Sequence, residues 1–158
     1  MLHIKIYNFA LSNKESEVYI KIPLRNKSNL RSNFEDFYEG GLATIHQDNK
    51  LEGKKLETFK TKCNILDNFK FDGKIGFIKI DVEGHEQHVL EGAVNTINKD
   101  MPNLLIEIEK KHRSDSIEKT FKYLSNLGYK AYTYKNNKLN LLTDFSNQNS
   151  VNYIFKAN

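Results

Sequence analysis

Ile75-Gly76-Phe77-Ile78-Lys79-Ile80-Asp81-Val82-Glu83-Gly84 is the stretch that decides the fold. From Ile75 to Val82 the run is almost continuously apolar, the pattern of a strand buried on both faces of a parallel sheet. Beyond Gly84, the residues Val89, Leu90, Ala93, Val94 and Ile97 mark one stripe at helical spacing. A helix is therefore expected over 85–100, stopped by Pro102. Leu104 to Glu109 repeats the buried-strand pattern, so a second strand is expected over 103–109. Asp115, with Glu118 three residues on, has the form of a capped helix start. Ile117, Phe121, Leu124 and Leu127 then share a face over 115–127, and Gly128 is placed to end that helix. Tyr129 to Tyr134 alternates as a strand, Asn136-Asn137 turns the chain back, and Ser150 to Lys156 makes a last strand. Strand and helix in alternation with short connections specify an α/β sheet.

Working toward the amino end, the pattern weakens. Residues 2–11 alternate apolar with polar, and 18–22 read as a second strand ended by Pro23. Leu56 to Cys63 alternates again. Between them, 24–50 is poor in large aliphatics and holds Gly40-Gly41, so it is expected to be a flexible loop and the least ordered internal segment. No internal repeat is present, and one domain over 1–158 is the expected organisation.

The composition narrows the function classes. The chain has 158 residues, 39% hydrophobic and 28% charged, which excludes a disordered tail. No apolar run approaches the length of a membrane span, and the opening residues reach Lys5 and Asn8 too soon for a signal peptide. A cytoplasmic protein with no membrane partner is expected. The net charge of +4 comes from lysines scattered among acids, with no basic stripe interleaved with aromatics, so no nucleic-acid partner is expected. The lone cysteine, Cys63, gives no disulfide framework or zinc knuckle and reads as a half-buried strand residue.

In an open α/β sheet, ligands sit beyond the carboxyl ends of the strands. The informative places are thus Asp81-Val82-Glu83-Gly84 and Glu107-Ile108-Glu109. Asp81 and Glu107 are expected within roughly 10 Å of each other, because neighbouring strands are about 4.8 Å apart. Asp81, Glu83 and Glu107, with Glu86 in the first helical turn, suit a general base, an acceptor for a hydroxylated or cationic ligand, or a divalent-metal site. The competing reading is that Glu83 and Glu86 complement the helix dipole while Lys79 pairs with Glu107. His85 and His88 are three apart and share a helix face, which permits metal ligation, but surface histidines are the favoured reading. His3, His46 and His112 are isolated. There is no Gly-x-Ser-x-Gly elbow, no Gly-x-x-x-x-Gly-Lys loop and no Gly-x-Gly-x-x-Gly.

The run Phe77 to Glu86, followed by Val89-Leu90-Glu91-Gly92-Ala93, resembles the signature of the FkbM-type methyltransferases. Pro102-Asn103-Leu104-Leu105-Ile106-Glu107-Ile108 is similar to that family's next strand, Leu127-Gly128-Tyr129 to its helix exit, and Asn152-Tyr153-Ile154-Phe155 to its last strand. Asn8-Phe9-Ala10-Leu11-Ser12 is similar to the segment after its third strand. The resemblance implies a Rossmann-like methyltransferase fold with strand order 3-2-1-4-5-7-6. It implies S-adenosylmethionine as cofactor, with Asp81, Ala10 and Leu11 on it. The implied activity is O-methylation of a small-molecule acceptor, a saccharide or other hydroxylated metabolite. Asp81 is then the polar group at the methyl-transfer edge, with Glu83, Glu86 and Glu107 on the acceptor and no resident metal.

The family's cofactor loop, a Gly-Ala-Asn-x-Gly-like segment, occurs nowhere in the 158 residues. The resemblance therefore implies a chain like the carboxyl-terminal two thirds of such an enzyme, with strand 4 left at a bare apolar edge and weak or no cofactor binding by this chain alone. Two other functions compete with the methyltransferase. One is a non-catalytic interaction module that self-associates through the open sheet edge. The other is a carboxylate metal site with hydrolytic activity.

Overall fold

The computed structural model describes residues 4–24, 38–47, 51, 53–109, 116–144 and 150–157. Its elements in chain order are β1 (Ala10–Leu11), β2 (Ser16–Pro23), β3 (Leu56–Asn64), β4 (Phe77–Ile80), α1 (Glu86–Glu91), α2 (Val94–Asp100), β5 (Asn103–Glu107), α3 (Ser116–Asn126), β6 (Tyr129–Lys135), β7 (Lys138–Leu141) and β8 (Asn152–Ala157). Short 3-10 turns occupy Gly40–Leu42 and Leu66–Asn68.

The apolar run around Ile78 pairs with the next one as the sequence requires. β4 and β5 are parallel, with Ile78 opposite Leu104 and Ile80 opposite Ile106. β8 returns antiparallel beside β5, and β6 and β7 complete a five-stranded sheet in the order β4-β5-β8-β6-β7. The β6–β7 hairpin turns on Asn136 and Asn137 at φ 54° and 58°, the mirror-image turn that suits the twist of a two-residue hairpin. A second, smaller sheet has the order β1-β3-β2.

Ile80, Leu104, Ile106, Tyr153 and Phe155 share one face of the large sheet and form a single buried cluster with Val89, Leu90 and Ile97 of α1 and α2 and with Phe121 and Leu124 of α3. Alternation puts Phe77, Lys79 and Leu105 on the opposite face, where Phe77 is 57% exposed. The expectation of a strand buried on both faces is thus corrected: the helices cover one face, and the apolar residues of the run divide between the two. β4 ends the sheet, and among the described residues no strand pairs with its outer edge.

Three other expectations change. The helix expected over 85–100 is two helices with a break at Gly92-Ala93. The Gly92 carbonyl accepts the Asp67 N–H at 3.0 Å. The Asp67 carboxylate accepts the N–H groups of Asn95 and Thr96, both at 2.8 Å, and so caps a fresh helix start. The strand expected over 2–11 shrinks to Ala10–Leu11, parallel to Cys63-Asn64. Among the described residues no strand pairs with 4–9, and Ile6 is 90% exposed. Alternation without a buried face does not make a strand; Tyr7, Phe9 and Phe69 instead cluster ring on ring at 5.3–5.5 Å. Most of the loop expected over 24–50 lies outside the described residues, as does Asp115. The described part, 38–47, is tied to β2 by bridges between Leu24 and Tyr38 and between Lys21 and Thr44. Cys63 is buried in β3 rather than half-buried, and burial pushes its thiol pKa up.

The two sheets meet at Ser12. Its N–H donates to the Asn64 carbonyl at 2.9 Å, and its own carbonyl lies directly over Gly92. The Asn13 amide donates to Glu91 at 2.7 Å. Glycine is required at 92 because a side chain there would occupy the space of this passing backbone. No helix among the described residues is long and apolar enough to cross a membrane.

Candidate active site at the strand ends

The last registered pair of the parallel strands is Ile80 with Ile106. One residue further, Asp81 stands level with Glu107 on the neighbouring strand, a separation of about 5 Å between backbones. Both belong to the face that the helices leave open. The Lys79 ammonium donates to Asp81 at 2.6 Å, and this contact comes first in raising the lysine's pKa. Glu107 raises it too, at longer range. The cross-strand pair expected between Lys79 and Glu107 is therefore replaced by a pair along one strand, with Glu107 adding to the same negative field.

After Asp81 the chain turns through two left-handed residues, Glu83 at φ 49° and Gly84 at φ 95°. Glycine takes that conformation freely, whereas glutamate is strained in it. The turn is held from outside: Thr44 Oγ1 donates to the Glu83 carbonyl at 2.9 Å. It is also held from inside, since Glu86 Oε1 accepts the Gly84 N–H at 2.8 Å. Glu86 is buried, its carboxylate turned onto the start of α1, as the helix-dipole reading of that residue anticipates. The four acids thus divide into Asp81 and Glu107 at the open face and Glu83 and Glu86 within the turn.

His85 and His88 are not surface residues. His85 is 8% exposed and His46 is 6% exposed, while His88 is half-buried. The His85 and His88 rings stack at 4.3 Å with 6° between planes. The His46 ring lies 5.7 Å from one and 5.8 Å from the other. His85 Nε2 is hydrogen-bonded to Ser12 Oγ at 2.9 Å. His46 is brought in by a pinned loop: its N–H donates to Thr44 Oγ1, and the Lys21 ammonium donates to its carbonyl at 2.7 Å. Sequence reasoning missed His46, because nothing local in Thr44-Ile45-His46 shows that the loop folds back on the strand end.

Ala10 and Leu11 sit on β1 in the smaller sheet, immediately before Ser12. Ala10 lines a cleft of about 760 Å³ together with Tyr7, Phe9, Ile20 and Phe59. Leu11 points the other way and packs against the main core. The link from Ser12 to His85 joins this strand to the turn after Asp81.

Among solved structures, the chain is similar to methyltransferase FkbM from Methylobacillus flagellatus KT, at 22% identity and a TM-score of 0.43, over 61% of this chain and 23% of that one. The chain thus spans about a quarter of that protein's length. No curated protein matches it. The methyltransferase FkbM domain model matches residues 2–131, more than four fifths of the sequence, and includes the 77–93 signature and both parallel strands. The chain belongs to the FkbM methyltransferase family.

Proposed function

We propose that the protein takes part in transfer of a methyl group from S-adenosylmethionine to the hydroxyl of a sugar or other small hydroxylated metabolite. The observation that carries the reading is the family match together with the pair of carboxylates, Asp81 and Glu107, at the ends of adjacent parallel strands. Ligands of open α/β sheets sit at such ends.

The cofactor would supply an electrophilic methyl group. Two features of the chain support a place for its adenosine end and its positive charge, while the family's Gly-rich cofactor loop does not occur in these 158 residues. The cleft beside Ala10 offers the rings of Tyr7, Phe9 and Phe59 for stacking on a purine, among the polar side chains of Asn8, Glu17, Lys60, Thr61 and Lys62. The carboxylates at the strand ends suit a sulfonium and an ammonium. Asp81 takes the proton of the acceptor hydroxyl as that oxygen forms its new bond, and Lys79 holds the carboxylate in position. Glu107 and Glu83 accept hydrogen bonds from other hydroxyls of the acceptor and fix its orientation. Glu86 supports them by keeping the Glu83-Gly84 turn closed.

Titration calorimetry with S-adenosylmethionine, and radiolabelled methyl transfer to a panel of saccharides, test the reading. This chain alone is expected to bind the cofactor weakly or not at all, and a chain extended by the family's cofactor-loop strands is expected to bind it saturably. Asp81→Asn is expected to lower turnover by about 100-fold while changing cofactor affinity little. In that extended chain, equal loss of binding and turnover would put Asp81 on the cofactor alone, and an extended chain that neither binds the cofactor nor transfers methyl overturns the proposal.

A further inference from the structure

We propose that His46, His85 and His88 form a three-histidine site for a divalent transition metal, zinc by its chemistry, with one coordination position open. The ligating nitrogens of the three rings lie within 4.8 Å of one another. Two of the rings come from the start of α1, and the third comes from the upstream loop that Lys21 and Thr44 hold in place. Neutral imidazole is a preferred zinc ligand, and three histidines with a free fourth place are a donor set of reactive zinc sites. The inference rests on these positions and is independent of the methyltransferase reading.

Two observations point to a ligand. His88 Nδ1 is buried and has no hydrogen-bond partner among the described residues. Buried polar atoms are nearly always satisfied, so an unpartnered imidazole nitrogen on a ring that packs with two other imidazoles marks a place for a cation. The second is the hydrogen bond between His85 Nε2 and Ser12 Oγ at 2.9 Å, which with Nε2–H as the donor leaves Nδ1 as the ligating lone pair. Metal-binding histidines are commonly oriented by such an outer contact on one ring nitrogen, which leaves the other facing the metal.

The rings must move a little to close on the ion. Tetrahedral zinc with bonds of about 2.0–2.1 Å needs nitrogens roughly 3.4 Å apart. The stack of His85 on His88 must therefore tilt, so that both lone pairs aim at one point instead of running parallel. His88, the most exposed of the three, has the most freedom to do so.

The test is titration of the untagged 158-residue chain, stripped of metal, with zinc chloride at neutral pH. One zinc per chain is expected, with a dissociation constant in the micromolar range or below. Cobalt(II) in place of zinc should give the intense visible bands of a four-coordinate ion. His88→Ala should weaken zinc binding by about 100-fold or more, and Ser12→Ala by about 10- to 100-fold through the outer contact. The double variant His3→Ala/His112→Ala should bind as the parent does. Absence of stoichiometric zinc binding overturns the site, as does affinity that survives His88→Ala or is lost with His3 and His112. If His88→Ala fails to fold, the cobalt spectrum of the parent chain decides: a pale six-coordinate spectrum, or none, overturns it.

Discussion

Replacing Gly92 by alanine tests how the two sheets are joined. A Cβ on Gly92 would sit 2.0 Å from the Ser12 carbonyl oxygen, 2.9 Å from its carbon and 3.2 Å from Asn13 Cα. All three are backbone atoms, so no side chain can rotate away. Relief needs a shift of about 1 Å in a segment fixed at both ends, by Ser12 N–H on Asn64 and by the Asn13 amide on Glu91. Overpacking of this kind costs about 1–3 kcal/mol, and loss of the buried Ser12–His85 bond adds about 1. The φ of Gly92 is −77°, which alanine accepts, and its better helix propensity returns at most about 1 kcal/mol. The net expectation is about 2 kcal/mol of destabilisation, or a fall in Tm of about 4–8 °C. Urea denaturation followed by circular dichroism measures it, with Gly76→Ala as the control because a Cβ there meets open space. If Gly92→Ala stays within about 0.5 kcal/mol of the parent, like the control, the close approach of Ser12 does not hold the sheets together.

Three further outcomes follow from other parts of the fold. Burial pushes the Tyr129 phenol up to about 12, with its hydroxyl donated to the Pro102 carbonyl at 2.9 Å. The unfolded chain ionises this group near its ordinary pKa of 10, so its contribution is intact below pH 10 and is lost between about 10 and 12, at up to roughly 1.4 kcal/mol per unit; denaturant titrations across that range, compared with Tyr129→Phe, should show the slope disappear in the variant. Asn137→Gly should stabilise the β6–β7 hairpin by about 0.5 kcal/mol in thermal melts, since φ 58° at the second turn residue is strained for asparagine and free for glycine. Glu83→Gly should likewise leave the fold as stable or about 0.5 kcal/mol more so, by relieving φ 49°, while methyl transfer falls; a variant that loses stability and keeps activity would make Glu83 a structural residue.

The parallel pair and its helices were legible because the signals there are local and mutually consistent. Ile78, Ile80, Leu104 and Ile106 give the strands, and Val89, Leu90 and Ile97 give the helix stripe that covers them. The Asn136-Asn137 turn was legible for the same reason, since two asparagines in sequence tolerate positive φ. The break at Gly92 was not, because its cause lies elsewhere in the chain: Asp67 captures the Gly92 carbonyl and caps the next helix. The strand at 2–11 failed for the opposite reason. Alternation was present, but a strand needs a neighbour to pair with, and β3 offers only Cys63 and Asn64 to it. The carboxylates of the site could be found from the strand ends, whereas the histidine cluster depends on a loop whose landing place no local pattern encodes.

The turn after β4 is where these long-range effects meet. Its conformation is strained at Glu83, and the strain is held by a threonine from the loop at 44 and by Glu86 from the helix it precedes. Through His85 the same turn is bonded to Ser12, which joins the smaller sheet to α1 at Gly92. A turn that served only to connect strand to helix would be better made with glycine at 83 and would need neither tether. Holding a glutamate in a left-handed conformation costs about 1 kcal/mol and makes physical sense where the side chain must be aimed. Asp81 and Glu107 are set by strand register, which is rigid, and Glu83 by a turn braced from two other segments. If the proposed role of Glu83 holds, the side of the site assigned to the acceptor depends on the upstream loop and the smaller sheet as much as on the parallel strands, and a substitution at Thr44 should disturb acceptor binding before it disturbs the core.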